Sequence, residues 1–116
     1  MDSRKSRLLC DAAWDGHTKR VHQLLQDSDV MACSDVNTAL LHACHRGHVE
    51  VVLALLGGTD ANPRARNSEA LWRAARHRRG RVVRLMAPLS DVSRWEDWQW
   101  DELPAAMQAR LGRSGL

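Results

Sequence analysis

The feature of this sequence that most limits its possible folds is a motif that occurs three times at a constant spacing of 31 residues. Each copy begins with a leucine and ends in two small residues, in the stretches LCDAA at 9–13, LLHAC at 40–44 and LWRAA at 71–75. A constant period of this size is typical of stacked copies of one supersecondary unit, each of which buries its apolar face against its neighbours. We therefore expect a repeat protein whose units lie side by side.

The middle copy, residues 38–62, indicates what one unit contains. Asn37 or Thr38 can cap the start of a first helix, because either side chain can accept a bond from a free backbone N–H. Gly47 can end that helix, since glycine readily adopts the left-handed conformation that reverses the chain. A second helix with apolar residues at helical spacing begins near His48, and a turn-rich segment follows it. Each unit is thus predicted to be helix, tight turn, helix and loop.

The stretch TALLHACHRGHVEVV at residues 38–52 resembles the ankyrin repeat, and so does GTDAN at residues 58–62. The resemblance implies an all-α fold, an ankyrin-type α-solenoid of stacked helix-turn-helix repeats. Because the period is shorter than the usual ~33 residues, we expect shortened β-turn loops between the units. In this family the histidine after the turn glycine typically bonds neighbouring backbone, which the resemblance implies for His17 and His48.

The resemblance suggests a single domain over residues 1–116, with repeats at about 6–36, 37–67 and 68–93. Residues 94–112, a Trp-rich segment and a predicted helix, are interpreted as a degenerate C-terminal cap, since terminal repeats are atypical. Trp95, Trp98 and Trp100 either cover the open end of the third unit or form a patch for self-association.

The third copy departs from the pattern at its turn, where Arg78 occupies the position of Gly16 and Gly47. Two outcomes are open. Either Arg78 takes a positive φ at some cost in strain, or the turn shifts its register toward Gly80.

The period also predicts which side chains align between units. The resemblance places these positions on the concave surface of the inner helices, where ankyrin repeats bind partners. The predicted partner-binding residues are Trp14, Asp15, His42, His45, Arg46, Arg66, Arg73, Arg76 and His77. Neighbouring helices stack about 10 Å apart, so we expect Asp15 to approach Arg46 and Asp11 to approach His42. A solvated ladder of side chains without any partner is the alternative.

Charge is distributed unevenly along the chain, whose formal net charge is +3. Residues 64–84 contain eight arginines and a single acidic residue, Glu69, whereas residues 91–102 contain five acidic residues and only Arg94. The basic stretch is either offset by the acidic tail or forms an exposed patch. An exposed patch would suit a partner protein with an acidic surface, or, as the alternative function, a nucleic acid.

Other classes of site are not indicated. His42, Cys44, His45 and His48 are close in sequence, but zinc needs about four converging ligands and Cys44 falls in the predicted core stripe. Signatures of metalloproteases, phosphate-binding loops and serine hydrolases are missing from the sequence, so we expect no enzyme, no cofactor and no metal. Three cysteines without a CxxC pair are expected to be reduced. No apolar run approaches the ~20 residues that a membrane span requires.

The predicted function is that of a protein-interaction module acting by occupancy, which binds, sequesters or inhibits a partner protein. The cationic residues comprise 15 arginines and two lysines, a bias typical of GC-rich genomes such as those of many bacteria and their phages. A bacterial or phage inhibitor, or an effector, is consistent with that bias. We expect a cytoplasmic location, in the cell that makes the protein or in a host cell after delivery.

Overall fold

A computed structural model describes residues 3–113, and the ends of the predicted domain, residues 1–2 and 114–116, lie outside the described residues. Three helix pairs follow one another along the chain, and each pair belongs to one of the 31-residue units. The helices are α1 (Ser3–Asp15), α2 (Thr18–Leu25), α3 (Ser28–Cys33), α4 (Val36–Arg46), α5 (Val49–Gly58), α6 (Ala65–Arg76), α7 (Gly80–Met86), α8 (Asp97–Asp101) and α9 (Ala105–Arg110). A 3₁₀ turn at Ala87–Leu89 follows α7.

The first helices of the three pairs, α1, α4 and α6, pack side by side as an inner row, while α2, α5 and α7 form an outer row behind them. Ala12, Ala43 and Ala74 are at most 5% exposed. They lie where the inner helices meet, and their small side chains let these helices pack closely. The described part of the chain contains no strand and is 48 Å long. The all-α solenoid predicted from the period is therefore confirmed.

The turns within the three units share one backbone conformation despite their different residues. The φ angles are +74° at Gly16, +78° at Gly47 and +59° at Arg78, so the third unit keeps the register and holds Arg78 in the left-handed region. A Cβ at Gly16 would lie 2.6 Å from the ring of His48, and one at Gly47 would lie 2.7 Å from Cδ of Arg79. Glycine is thus required where a following unit stacks on the turn, whereas Arg78 lies at the last turn of the series and is exposed.

Each following unit donates a hydrogen bond to the inner helix before it. Nε2 of His48 lies 3.0 Å from the carbonyl oxygen of Trp14, and Nε of Arg79 donates to the carbonyl oxygen of His45 at 3.1 Å. The carbonyl can only accept, so Nε2 of His48 carries the hydrogen. The role implied for His48 is confirmed, and Arg79 makes the equivalent bond in the third unit.

The cap of α4 differs from the prediction. Asp35 is the capping residue, since its carboxylate accepts bonds from the backbone N–H and the hydroxyl of Thr38 at 3.0 and 2.7 Å. These bonds stabilise the charged form and lower the pKa of Asp35. Asn37, predicted as a possible cap, lies inside the helix and accepts a bond from the backbone N–H of Asn62 at 2.7 Å, which ties the next loop to α4.

The first connection between units is not a β-turn loop, because it contains α3. Asp27 caps this helix by accepting bonds from the backbone N–H groups of Asp29 and Val30. Val30 is 2% exposed and anchors the helix on the core. The loop prediction was wrong here because the aspartate cap and the buried Val30 favour a short helix.

The start of α6 contains a left-handed turn, with φ between +54° and +58° at Arg66, Asn67 and Ser68. The left-handed conformation costs a non-glycine residue about 1–2 kcal/mol. The C-terminal segment holds this turn. The Ser68 hydroxyl accepts from the backbone N–H of Asp91 at 2.9 Å, and the Asn67 carbonyl accepts from Nε1 of Trp95 at 2.7 Å.

The three tail tryptophans differ in exposure. Trp95 is 6% exposed and Trp100 is 9% exposed, so both cover the end of the third unit, whereas Trp98 is 54% exposed. Nε1 of Trp72 in α6 donates to the carbonyl oxygen of Gln99 at 2.9 Å and fixes α8 on that unit. A self-association patch made of all three tryptophans is therefore wrong, since only Trp98 faces solvent.

Candidate partner-binding site

Three rings from successive units lie next to one another at the C-terminal ends of the inner helices. Trp14 is near the end of α1, His45 is near the end of α4, and His77 directly follows α6. The ring centroids are 5.0 Å apart for Trp14 and His45, and 4.0 Å apart for His45 and His77. We call Trp14, His45 and His77 the ring row. It joins all three units into one surface.

The third ring, His77, is one of the predicted residues, but the period aligns Arg76 rather than His77 with His45. Arg76 is the residue 31 positions after His45, yet its guanidinium lies 6.0 Å from the ring centroid of Trp72, one helical turn earlier. Its Nε also pairs with Glu102 at 3.3 Å. These two attractions draw Arg76 toward α8, and His77 takes the place beside His45.

Arg46 lies over Trp14 rather than beside Asp15. The guanidinium carbon of Arg46 is 5.0 Å from the ring centroid of Trp14, within the range of a cation–π interaction. Asp15 and Arg46 form no ion pair within residues 3–113, so the predicted pairing was wrong. The face of Trp14 offers the cation a contact along the row, whereas Asp15 is an exposed and well-hydrated carboxylate.

Asp11 and His42, which were expected to approach each other, form no ion pair within residues 3–113. The His42 ring instead meets Trp14 edge-on, with centroids 5.4 Å apart. Its Nδ1 is buried and finds no hydrogen-bond partner among the described residues. His42 therefore packs against the Trp14 ring and supports it.

The remaining predicted residues, Arg66 and Arg73, share one carboxylate. Arg73 pairs with Glu69 at 3.3 Å and Arg66 pairs with the same side chain at 3.9 Å. Arg66 lies in the left-handed turn at the N-terminal end of α6, whereas the ring row lies at the opposite end. The structure therefore brings Trp14, His42, His45, Arg46 and His77 into contact, flanks them with Arg73 and Arg76, and leaves Asp15 and Arg66 outside this group.

The two histidines of the ring row are held toward their neutral form. The pKa of His45 is lowered, first by burial and then by the positive charges of His77 and Arg73. The pKa of His77 is lowered in the same way, by burial and then by Arg76 and Arg79. The row is consequently aromatic and mostly neutral, with cations around it.

One part of this surface was missed by the sequence analysis. Trp98 meets Trp72 edge-on with centroids 5.9 Å apart, and the guanidinium of Arg76 lies 6.0 Å from the centroid of the same Trp72 ring. Nε1 of Trp98 donates to the carboxylate of Glu96 at 3.1 Å, which fixes the ring although it is exposed. The spacing of Trp72 and Arg76 by one helical turn could have indicated their contact, but nothing in the sequence indicated the position of Trp98.

The arginines of the third unit are only partly offset by acidic residues. Arg76 is the one that pairs with the acidic tail within the described region, at Glu102. Arg64, Arg78, Arg81 and Arg84 are exposed and form no ion pair there. An exposed basic surface therefore remains around the turn of the third unit and on α7.

Residues 3–113 contain no group of three or more histidine, cysteine or acidic side chains that could hold a metal ion. The cysteines there are free thiols, and burial raises the pKa of Cys44 to about 12, as its predicted core position would require. An open cleft of about 510 Å³ lies beside the left-handed turn, between Arg64 and Arg94. No helix in this range is long and apolar enough to cross a membrane.

Comparison with known families gives one result. A family model described as ankyrin repeats, in three copies, matches residues 9–94. This range includes the whole ring row and ends just before α8. No curated protein and no solved structure matches the chain.

Proposed function

We propose a function for this chain, which belongs to the ankyrin-repeat family. The chain acts by occupancy through the inner-helix surface around the ring row. Repeats of this family generally mediate protein–protein interaction and are typically non-enzymatic binding modules. In this proposal the chain binds a partner protein and thereby sequesters or inhibits it. Trp14, His45 and Arg46 contact the partner at one end of the site, and Arg76 and His77 contact it at the other.

The observation that carries the proposal is the contact between Arg46 and the half-buried Trp14 at the start of the ring row. Tryptophan and arginine dominate the binding energy of protein interfaces, particularly where neighbouring contacts already fix the side chain. Trp14 meets His42, His45 and Arg46 and is fixed in this way before any partner arrives. A fixed anchor loses less conformational entropy on binding.

We further propose that Trp98 extends this surface at its C-terminal end. Its exposed ring is held by Trp72 and Glu96, and Trp72 also contacts Arg76 of the proposed site. Repeats 6–36, 37–67 and 68–93 together with the cap at 94–112 would then form one binding domain. Because the cap both covers the third unit and presents Trp98, its loss should weaken folding and binding together.

Charge supports an acidic partner. Arg46 has no carboxylate partner within residues 3–113, and neither has Arg78 at the turn of the third unit. Carboxylates of a partner could pair with these cations and would also increase the association rate. The proposal includes a cytoplasmic site of action and a bacterial or phage origin, which is supported by the arginine-rich composition.

Selection from a random-peptide display library would test the proposed site. The inner-row variant Trp14→Ala/Arg46→Glu/Arg76→Glu removes its anchors. The outer-row variant Leu53→Ala/Arg81→Glu/Arg84→Glu is the control. It removes one exposed apolar side chain from α5 and makes the same two changes of charge on α7. We expect acidic peptides that bind the wild type and the outer-row variant but not the inner-row variant. Peptides that bind the inner-row variant as well as the wild type would refute the proposed site.

A nucleic-acid function is the alternative. The observation in its favour is that Arg78, Arg81 and Arg84 are exposed and form no ion pair within residues 3–113. Neutralisation of phosphates would make the affinity fall steeply with salt concentration. A gel-shift titration with oligonucleotides at increasing salt decides between the two. No retardation at low salt would exclude this alternative, whereas salt-dependent retardation abolished by Arg81→Glu/Arg84→Glu would support it.

Self-association through Trp98 is the remaining alternative for the tail. The exposed fraction of this ring is larger than that of Leu53 or Leu89, the other large exposed apolar side chains within residues 3–113. Static light scattering over a range of concentrations separates the two roles. A monomer at all concentrations supports the partner role, whereas a dimer that Trp98→Ala dissociates supports self-association.

A further inference from the structure

We propose that the ring row takes up protons when a carboxylate-bearing segment of a partner binds, so that the affinity rises as the pH falls from about 8 to about 6. This inference rests on the proposed function and adds to it a regulation of the same site. The groups that carry it are the stacked imidazoles of His45 and His77 and the cations around them.

The stack is the first observation. The two imidazole rings are 4.0 Å apart with planes inclined by 34°, so a charge on one lies directly beside the other. His77 is exposed and His45 is half-buried, which leaves both within reach of a bound segment. Because both rings belong to the row that contains Trp14, a partner that covers the row covers them too.

The charges around the stack are the second observation. Arg73 and Arg76 face it from α6, Arg79 faces it from the following turn, and His42 faces His45 from α4. From α1 the neighbour is the uncharged ring of Trp14. The groups that shift the pKa of either histidine through their charge are therefore all basic.

The carboxylates that contact Arg73 and Arg76 are already engaged. Glu69 pairs with Arg66 and Arg73, and Glu102 pairs with Arg76. In the free protein a proton added to the stack therefore meets several positive charges, and no carboxylate is among the groups whose charge shifts the pKa of either histidine. This arrangement keeps both imidazoles neutral near neutral pH.

A partner carboxylate reverses this balance. Placed against the stack, it provides the missing negative charge and a hydrogen-bond acceptor for a protonated imidazole, both of which raise the histidine pKa values. Protons are then taken up on binding, and the affinity must decrease as the pH rises. An uptake of about one proton over part of this range predicts an affinity roughly three- to tenfold lower at about pH 8 than at about pH 6.

The experiment uses the full chain and poly-L-aspartate, which stays ionised over this range because aspartate has a pKa near 3.9. NMR titration of the histidine Cε1–H signals gives the midpoints for His45 and His77 with and without the probe, and calorimetry gives the affinity at each pH. The test variant is His45→Gln/His77→Gln, and the control is His22→Gln, which replaces an exposed histidine on α2.

We expect both midpoints to rise when poly-L-aspartate binds, and the double variant to lose most of the pH dependence that the control retains. In the free single variant His77→Gln, the midpoint of His45 should rise as well, because the charge of His77 is one of the causes that lower the pKa of His45. The proton uptake would be refuted if the pH dependence of binding were the same in all variants, or if the midpoints did not move. The acidic partner of the proposed function would still stand in that case. No binding at either pH would instead refute the acidic partner and with it this proposal.

Discussion

Replacement of Gly16 by alanine tests whether the units stack as described. The φ of Gly16 is +74°, and a Cβ there would lie 2.6 Å from Cε1 and Nδ1 of the His48 ring. The left-handed conformation costs alanine about 1–2 kcal/mol, of which about 0.5 kcal/mol is recovered because the unfolded chain loses freedom. The ring must also move away, which breaks its 3.0 Å bond to the Trp14 carbonyl at a cost of about 1 kcal/mol. We expect the free energy of unfolding to fall by about 2 kcal/mol in total.

The two contributions can be separated in a double-mutant cycle with His48→Ala. Without the ring, Gly16→Ala retains only its backbone cost of about 1 kcal/mol. The coupling between the two positions should therefore be about 1 kcal/mol, above the ~0.3–0.5 kcal/mol within which distant sites are additive. Urea unfolding followed by far-UV circular dichroism measures all four variants.

Gly57→Ala is the matched control for this cycle. Gly57 lies in α5, and no atom lies within 4 Å of a Cβ placed there. Alanine at this site should stabilise the protein by about 0.5 kcal/mol, because it favours the helix. If Gly16→Ala costs the same with and without His48, the ring does not lie on this turn and the described stacking is wrong.

Three further predictions concern the helix cap, the pH dependence and the binding surface. Asp35→Ala removes the cap of α4 and should lower the unfolding free energy by about 1 kcal/mol; urea unfolding tests it, and the deficit should shrink in acid, once the lowered pKa of the wild-type carboxylate is reached. The lowered pKa values of His45 and His77 mean that the unfolded chain, with an ordinary value of 6.5, binds more protons below that pH. The contribution of these two histidines to the free energy of unfolding should therefore be complete above pH 6.5 and decrease below it until the folded rings are protonated. In a pH series of melting curves, the melting temperature of His45→Gln/His77→Gln should depend less on pH than that of the wild type. Trp98→Ala should weaken the binding of a selected peptide by about 2 kcal/mol, roughly 30-fold in calorimetric affinity, whereas the control Leu53→Ala should leave that affinity unchanged. Equal effects of the two substitutions would show that Trp98 is not part of the site.

The stacking of the units could be predicted because it depends on a period that every unit repeats. Ala12, Ala43 and Ala74 align since small residues recur where inner helices meet. The bond from His48 to the preceding unit followed from the family resemblance. These features are local or strictly periodic, and both kinds of signal are present in one sequence.

The details of the site could not be predicted, because they depend on contacts that break the period. His77 replaces Arg76 in the ring row since Arg76 is drawn to Glu102, a residue of the irregular tail. Arg46 lies over Trp14 because a flat ring competes with the exposed Asp15 for the same cation. The position of Trp98 depends on how α8 docks on Trp72, which no repeated residue specifies.

The central claim is that a partner binds along the ring row, and chemical-shift mapping with a selected acidic peptide tests it most directly. Addition of the peptide to isotopically labelled protein should shift the indole signal of Trp14 and the ring signals of His45 and His77. The amide signals of α2, α5 and α7 should keep their chemical shifts. Shifts confined to the outer row, with the Trp14 indole unchanged, would contradict the claim.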